Sequence, residues 1–264
     1  GRFELLRRVD AGGMGEIYLG RGRVGDDGRE RHVAIKRLLP QVAKDATFVT
    51  MFEDEARLAL TLQHPGICRV WELGAEERTK FLVMEWIDGV SLQALQRQAA
   101  TQADGLPFDV TARIGVDLAA ALDFAHRLTD DAGVPLGIVH RDVSPRNIMI
   151  DWHGRVKLLD FGLAKARTHL HQTQPGYVKG KFGYLAPEQL SGEVDARTDV
   201  FALGICLYEA LTDEKVFDRP SAAETVQAVM GYKHAPSLRR YRGDASEALE
   251  QVVRTALAPR PVDR

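Results

Sequence analysis

The chain is poor in cysteine and has no long apolar run. Its 264 residues include 2 cysteines, Cys68 and Cys206, which lie far apart in apolar surroundings. Neither belongs to a metal-binding or disulfide spacing, so both are predicted to be buried thiols without a redox role. The longest apolar run, residues 200–207, is far shorter than the roughly 20 residues of a membrane-spanning helix. These absences argue against a disulfide-stapled fold and against direct membrane contact by this part of the protein.

An excess of either charge is also missing. The chain has 35 Lys plus Arg and 37 Asp plus Glu, a formal net charge of -2. No general attraction to nucleic acid follows from this balance, so no nucleic-acid partner is expected. The start of the chain has neither a secretory signal pattern nor an initiator methionine. We therefore expect a cytoplasmic domain from a longer protein, in which other segments could carry a membrane anchor.

The order of β-rich and helical segments predicts the fold class. Short β-rich runs occur at residues 3–9, 16–23, 31–38, 67–73 and 80–85, with a Gly/Asp hairpin cluster at 25–28. Residues 47–62 instead show apolar residues at helical spacing, ended by His64-Pro65. After residue 89 the pattern is helical, at 91–99, 109–128, 198–211, 222–230 and 246–257. The sequence predicts an α+β fold with a small antiparallel sheet lobe and a larger, mainly helical lobe.

A glycine-rich turn and a lysine follow each other in the predicted sheet. The stretch VDAGGMGEIYLG, residues 9–20, places Gly12, Gly13 and Gly15 between two strands, where backbone N–H groups can approach phosphate oxygens. A plain tight turn is the alternative, and a dinucleotide fingerprint is disfavoured because no helix follows. Lys36, in VAIK, is either a phosphate-binding cation or an edge residue. Glu55 is either solvated or buried, and a buried carboxylate would need Lys36 as its partner.

The most specific signal is HRDVSPRN at residues 140–147, followed by DFG at 160–162. This combination arises by chance on the order of once in a billion start positions, taking each residue at roughly one in twenty. The chain resembles the bacterial eukaryotic-like (Hanks-type) serine/threonine protein kinases, many of which carry GGMGE, and is most similar to myxobacterial members with GIVHRDVSP. The resemblance covers essentially the whole chain, including the motifs MEWID at 84–88, APE at 186–188 and DVFALG at 199–204.

The resemblance implies one protein kinase catalytic domain over residues 1–264. Its small lobe would cover about 1–85, its hinge about 85–89 and its large lobe about 90–264, truncated near the C-terminal end. The implied activity is transfer of the ATP γ-phosphoryl group to serine or threonine hydroxyls of protein substrates. Glu188 and Arg264 would form an ion pair that anchors the APE segment to the large lobe.

The resemblance also implies roles for the charged residues. Lys36 would hold the α- and β-phosphates and pair with Glu55. Asn147 and Asp160 would hold Mg²⁺, with Mn²⁺ as a second suitable ion. Asp142 would accept the proton of the substrate hydroxyl.

The adenine would lie between apolar residues that are otherwise ordinary core. By motif register these are Ile17 and Ala34 above the ring and Met149 below it, with Val9 as a further ATP-binding residue. Met84 would be the gatekeeper, and the backbone of Glu85 and Ile87 would bond the ring. Ser91 would give the ribose a hydroxyl contact weaker than the carboxylate that many relatives have there.

Three positions depart from the family pattern. Asp10 replaces the first glycine of the turn, Ser144 replaces the usual lysine two residues after Asp142, and Lys181 replaces the threonine before APE. The last two suggest a reciprocal exchange, in which Lys181 supplies the ammonium and Ser144 the hydroxyl. Arg146, placed as in some tyrosine kinases, is a rival source of positive charge and is otherwise an exposed turn residue.

Regulation is predicted around the loop from residue 163 to 184. Arg141 and Lys165 could form a pocket for a phosphorylated residue of this loop. The acceptors there are Thr168, Thr173 and Tyr177, of which Thr173 is favoured. A homodimer in which autophosphorylation occurs is compatible with this reading. A pseudokinase that binds nucleotide or acts as a scaffold, and a tyrosine-specific kinase, remain alternatives.

Overall fold

A computed structural model of the chain describes residues 2–12, 15–25, 27–76, 79–101, 105–161 and 182–264. Five strands form an antiparallel sheet in the order β1-β2-β3-β5-β4. Their bounds are β1 Phe3–Ala11, β2 Gly15–Arg23, β3 Glu30–Leu38, β4 Val70–Glu76 and β5 Thr79–Glu85. The predicted antiparallel start of three strands is therefore confirmed.

The fourth strand begins later than its sequence pattern predicts. Ile67 forms an isolated bridge with Leu158, and the N–H of Cys68 donates to the carbonyl of Leu158 at 2.9 Å. These residues are extended, but their backbone bonds go to the other lobe. Sequence alternation cannot distinguish this linker from a sheet strand, because both place side chains on alternate faces.

One helix packs on the sheet. Helix α1, Ala46–Thr61, is capped at its N-terminus by Asp45, whose carboxylate accepts a hydrogen bond from the N–H of Thr47 at 2.9 Å. Phe52 and Ala56 lie on its buried face and join the sheet residues Leu82 and Met84 in one apolar cluster. Burial of this apolar face positions every residue of α1, including Glu55.

The second lobe is mainly helical but also contains a small sheet. Its helices are α2 Leu92–Ala99, α3 Phe108–His126, α4 Pro187–Ser191, α5 Ala196–Thr212, α6 Ala222–Met230 and α7 Glu247–Ala256. Three strands, β6 Gly89–Ser91, β7 Ile148–Asp151 and β8 Val156–Leu158, pair antiparallel in that order. The predicted mainly helical lobe is confirmed, but its three short strands were not predicted from the sequence. Strands of three or four residues are too short to show alternation.

Helix α5 forms the centre of the large lobe and anchors the loop that precedes β7. The carboxylate of Asp199, which is 0% exposed, accepts hydrogen bonds from the backbone N–H groups of His140 and Arg141, both at 2.8 Å. Its Oδ2 also lies 2.8 Å from Nε2 of His126, on α3. Three partners fix the start of HRDVSPRN to the helical core.

The APE segment is anchored by the predicted ion pair. The guanidinium of Arg264 lies 2.5 and 3.1 Å from the two carboxylate oxygens of Glu188, and the Arg264 side chain is 0% exposed. Arg264 also donates to the carbonyls of Arg197 and Pro259 and lies over the ring of Phe201. The predicted ion pair is therefore complete and buried.

Two further predictions concern burial and membrane spans. Both cysteine thiols are free and buried, as predicted, and burial raises the pKa of each. Among the residues that the structure describes, no helix is both long and apolar enough to cross a bilayer.

Replacing Asp199 with asparagine should destabilise the fold. The amide N–H₂ would face N–H donors at a position that is 0% exposed, so we expect the free energy of unfolding to fall by about 3–5 kcal/mol. Urea denaturation at pH 7.5 measures this loss. The control is Asp123→Asn, because the Asp123 carboxylate is 58% exposed and its pair with Arg127 is at the surface. A surface pair predicts a loss below about 0.5 kcal/mol, and equal losses in the two variants would contradict the anchoring role.

Candidate active site

A lysine stands between two carboxylates where the sheet meets α1. Nζ of Lys36, on β3, lies 3.3 Å from Oε1 of Glu55 and 3.2 Å from Oδ2 of Asp160. Burial lowers the pKa of Lys36, but the attraction of Asp160 and Glu55 outweighs burial, so the net shift is upward. The lysine is therefore a fixed cation, and Glu55 has the partner that its burial demands.

Asp160 is held in an uncommon backbone conformation. Its φ is 47°, a region that residues other than glycine rarely adopt. The next residue, Phe161, is 3% exposed, and its ring centroid lies 4.6 Å from that of His140. Packing of Phe161 therefore maintains the turn that points the Asp160 carboxylate at Lys36.

The loop before β7 orients Asp142 and Asn147 toward each other. Nδ2 of Asn147 donates to Oδ2 and to the backbone carbonyl of Asp142, both at 2.8 Å. The ring of His140 supports the loop, since its Nδ1 accepts from the N–H of Asp142 at 3.2 Å and its Nε2 donates to the carbonyl of Leu159 at 2.8 Å. The Asp142 side chain is thus positioned by two neighbours within one turn of chain.

The donor atoms suit a hard divalent cation. Because both Asn147 amide hydrogens point to Asp142, the amide oxygen Oδ1 remains as an acceptor, and no hydrogen bond to it is made within the described ranges. Asp160 contributes carboxylate oxygens nearby in the same cleft. Amide and carboxylate oxygens are ligands that Mg²⁺ prefers, in combination with oxygens of a nucleotide. These two residues therefore fit the predicted metal role.

Residues predicted to enclose the adenine meet at the interlobe cleft. Ala34, Met84, Ile87 and Met149 belong to one apolar cluster. Ile87 is 9% exposed, yet its N–H donates to no atom in the part of the chain that the structure describes. A nearly buried N–H without a partner suits a ligand acceptor. Ile17, on β2, pairs in register with Lys36 and borders the same cleft.

Three other residues predicted to contact the nucleotide are either exposed or already bonded within the protein. Val9 is 42% exposed at the end of β1. The N–H of Glu85 already donates to the carbonyl of Arg69 at 2.8 Å, and the Glu85 carbonyl accepts from the thiol of Cys68 at 3.7 Å, so a ligand would share that carbonyl with Cys68. The Ser91 hydroxyl accepts from the N–H of Ala94 at 3.1 Å and caps α2, so this capping competes with the predicted ribose contact.

The glycine turn closes between β1 and β2. The N–H of Gly12 donates to the carbonyl of Gly15 at 2.8 Å. A Cβ on Gly15 would lie 2.6 Å from the carbonyl oxygen of Arg37, so strand packing alone requires glycine there. The Asp10 carboxylate accepts from the N–H of Ala11 at 2.9 Å, which turns one of its oxygens toward the backbone. Gly13 lies outside the described residues.

The residues of the proposed charge exchange are only partly described. The carbonyl of Ser144 accepts from the N–H of Asn147 at 2.9 Å, and Arg146 is exposed on the same turn. Lys181 lies outside the described residues, and so do the predicted regulatory residues Lys165, Thr168, Thr173 and Tyr177. Of the predicted regulatory set, the structure describes only Arg141.

Arg141 is held by its backbone and has a side-chain donor without a partner. Its φ is 65°, its N–H donates to Asp199, and its carbonyl accepts from Nε2 of Gln189 at 2.9 Å. Its side-chain Nε is buried and makes no hydrogen bond to any described residue. The roles of Asp199 and Gln189 were not predicted from the sequence, because single polar residues in helices carry no periodic signal.

A second charged cluster borders the segment before APE. The buried carboxylate of Glu209, on α5, accepts from the hydroxyl of Tyr184 and from Nζ of Lys215, both at 2.7 Å. Burial raises the pKa of Glu209 from its ordinary value, while Lys215 and Tyr184 oppose that rise. This cluster joins the end of α5 to the turn Phe182–Tyr184 and was also missed from the sequence.

A cleft that holds a lysine between two carboxylates, beside a loop with paired Asp and Asn, defines a phosphoryl-transfer site of the protein kinase class. The family model described as "Protein kinase domain" matches residues 3–264. The chain belongs to the protein kinase domain family.

Several relatives are similar over the whole chain. Tyrosine-protein kinase MasK of Myxococcus xanthus is 44% identical over 265 residues, covering 100% of this chain and 41% of MasK. Serine/threonine-protein kinase PknB of Mycolicibacterium smegmatis is 37% identical, covering 100% of this chain and 40% of PknB. Serine/threonine-protein kinase PrkC of Bacillus subtilis is 34% identical, covering 100% of this chain and 38% of PrkC. The chain thus spans about two fifths of the length of these curated relatives.

The solved kinase domain of Mycobacterium tuberculosis PknI is similar with a TM-score of 0.71 and 29% identity, covering 100% of this chain and 90% of that chain. The predicted fold class and the resemblance to bacterial Hanks-type kinases, including a myxobacterial one, are confirmed. Members of the family in general use ATP and a divalent metal ion and act on proteins.

Replacing Lys215 with methionine should cause a pH-dependent loss of stability. The variant loses stability because the Glu209 carboxylate would keep only one of its two donors, the Tyr184 hydroxyl. Since the Lys215 side chain is 48% exposed, we expect the free energy of unfolding to fall by about 1–2 kcal/mol at pH 7.5, less than for a fully buried pair. Loss of the ammonium raises the pKa of Glu209 further above its unfolded value. The folded chain then gains stability by protonation, so the deficit shrinks as pH falls toward the ordinary glutamate pKa.

Urea denaturation at pH 7.5 and pH 5 measures this dependence. Lys233→Met, which removes an exposed lysine, serves as the control and should match the parent at both pH values. A Lys215→Met deficit that is the same at both pH values would show that the Glu209 carboxylate is not its cause.

Proposed function

We propose that the chain is an active protein kinase domain that transfers the γ-phosphoryl group of ATP to serine or threonine hydroxyls of proteins, including its own. The observation that carries the proposal is the ion-paired Lys36 between Glu55 and Asp160. An inactive scaffold would have no need to hold three charges together in a cleft, because burying them costs free energy.

The residues of the site have three kinds of role in the reaction, namely binding, orientation and proton transfer. Lys36 holds the phosphates, and Glu55 fixes Lys36 so that movement of α1 can switch the site. Asn147 and Asp160 would hold Mg²⁺, or Mn²⁺ in its place, and the ion would supply positive charge that neutralises the phosphates. Asp142, oriented by Asn147, accepts a hydrogen bond from the substrate hydroxyl and takes its proton late in the transfer.

Acceptor specificity is the finer part of the proposal. PknB and PrkC are named serine/threonine kinases, whereas MasK, at 44% identity, is named a tyrosine kinase. Pro145, which is buried beside Ser144, and the GYLAPEQ segment resemble the serine/threonine branch. Arg146 and the similarity to MasK favour tyrosine as the second candidate acceptor.

Activation would use the loop that begins after Asp160. Arg141 presents a buried Nε without a partner among the described residues, and a phosphate on the loop would supply one. We propose that Thr173 is the phosphorylated residue, with Thr168 and Tyr177 as alternatives, and that Lys165 completes the pocket. Autophosphorylation would take place in a homodimer in the cytoplasm.

The proposal predicts transfer from Mg-ATP that depends on Asp142. Incubation with radiolabelled ATP should label the chain and a generic protein acceptor, and Asp142→Asn should lower the rate by about 10²–10⁴-fold because the proton acceptor is lost. Asp131→Asn, at an exposed loop residue, is the matched control and should keep full activity. Phosphoamino-acid analysis and site mapping should give phosphoserine or phosphothreonine, with Thr173 among the sites.

Other outcomes of this experiment have defined meanings. Nucleotide binding without any transfer would identify a pseudokinase and overturn the proposal. Phosphotyrosine as the only product would establish the second acceptor class. Activity unchanged in Asp142→Asn would remove Asp142 from the mechanism.

The displaced charge beside Asp142 can be assigned by two variants. If Lys181 replaces the usual lysine, Lys181→Ala loses a charged hydrogen bond of about 1.5–3 kcal/mol, or about ten- to a hundredfold in rate. Arg146→Ala should then retain most of its activity. Turnover of both variants, measured side by side at saturating Mg-ATP, tests this. Unchanged turnover in Lys181→Ala with a loss in Arg146→Ala would assign the charge to Arg146 instead.

A further inference from the structure

A groove lies on the face of the sheet opposite the nucleotide cleft. Along β3, Ala34 and Lys36 point to the cleft, whereas Val33 and Ile35 pack with Trp71 on the other face. At the start of this strand, the Arg31 guanidinium lies 6.0 Å from the ring centroid of Trp71. Along β5, Met84 and Glu85 alternate in the same way. The groove has a volume of about 550 Å³ behind the hinge, within the 300–1,000 Å³ typical of ligand pockets.

Its floor is aromatic and its walls are mainly basic. Trp71 and Trp86 line it, together with the following polar residues: Arg31, His32, Gln63, His64, Arg69, Glu85 and Lys157. The lining thus contains two guanidinium groups, an ammonium, two imidazoles and one carboxylate.

Two of the cations already have partners. Asp27 binds Arg31 at 2.6 Å, and Glu85 binds Lys157 at 2.8 Å. His64 is a neutral donor, because burial and Lys157 lower its pKa and its Nδ1 accepts from the N–H of Gly66 at 3.0 Å.

Arg69 differs from these residues. It is exposed, its guanidinium lies 4.2 Å from the ring centroid of Trp71, and no described carboxylate pairs with its side chain. Stacking on an aromatic ring holds the planar guanidinium in place and leaves its N–H edge available for a carboxylate.

We propose that this groove docks an acidic peptide segment of a partner protein, with a carboxylate of the segment bound to Arg69. The apolar parts of the segment lie on Trp71 and Trp86, and Lys157 and His64 offer further N–H donors. Since the groove and the cleft occupy opposite faces of the sheet, the partner remains bound while the cleft is open to nucleotide.

Fluorescence anisotropy of labelled peptides tests the proposal without any need for kinase activity. Fluorescein-labelled hexaglutamate should bind the chain at 50 mM salt and weaken at 200 mM salt, whereas labelled hexaglutamine should not bind measurably. Arg69→Glu should weaken hexaglutamate binding by at least about tenfold, because it removes a charge-assisted hydrogen bond and adds repulsion.

The matched control is Arg254→Glu, which makes the same charge change at an exposed residue of α7 outside the groove. It should change the affinity by less than about threefold, since exposed charges beyond a Debye length are screened. Thermal unfolding of both variants establishes that each is folded. Trp71→Leu provides a second variant, which should weaken binding by removing the stacking that orients Arg69.

Three results would overturn the proposal. One is equal affinity of hexaglutamate for the Arg69→Glu and Arg254→Glu variants. Another is the absence of hexaglutamate binding at 50 mM salt. The third is Arg69-dependent binding of labelled hexauridylate in place of the acidic peptide, which would make the groove a nucleic-acid site.

Discussion

The carboxylate of Asp199 is the interaction on which the remainder of the active site depends. A charge with 0% exposure in an apolar helix is stable only if its hydrogen bonds are complete, and here the backbone N–H groups of His140 and Arg141 complete them. The same hydrogen bonds also fix the backbone of the loop that contains His140 and Arg141. Arg141 can persist at a φ of 65° because Asp199 holds its N–H and Gln189 holds its carbonyl.

His140 links the loop that Asp199 holds to the charged residues of the cleft. Its ring accepts from the N–H of Asp142, donates to the carbonyl of Leu159 and packs against Phe161. One side chain therefore joins the loop that carries Asp142 to the segment that leads to Asp160. The distance between Asp160 and Lys36 is thus a consequence of contacts in the large lobe as well as of the sheet.

The sequence predicts features that repeat and misses those that depend on a single contact. Helices α1, α3, α5, α6 and α7 follow from apolar spacing, to within two residues at each end. The pair Lys36–Glu55 follows from the cost of burying a carboxylate. Strands β6–β8 do not follow, because each has only three or four residues, too few to show alternation, and β6 pairs with a strand far away in sequence. The cluster of Glu209, Lys215 and Tyr184 does not follow from the sequence either, because no local pattern encodes the contact between Tyr184 and Glu209.

The alternation of strands explains how one sheet can present two surfaces of different chemistry. Residue Glu85 belongs to both, since its backbone borders the nucleotide cleft and its Oε2 accepts from Lys157 in the groove. A ligand that draws Lys157 away from Glu85 therefore acts on a residue of the hinge. Linkage requires that any effect of such a ligand on nucleotide affinity be matched by an equal effect of nucleotide on the ligand. The two faces of the sheet therefore differ in chemistry, and Glu85 contributes to both.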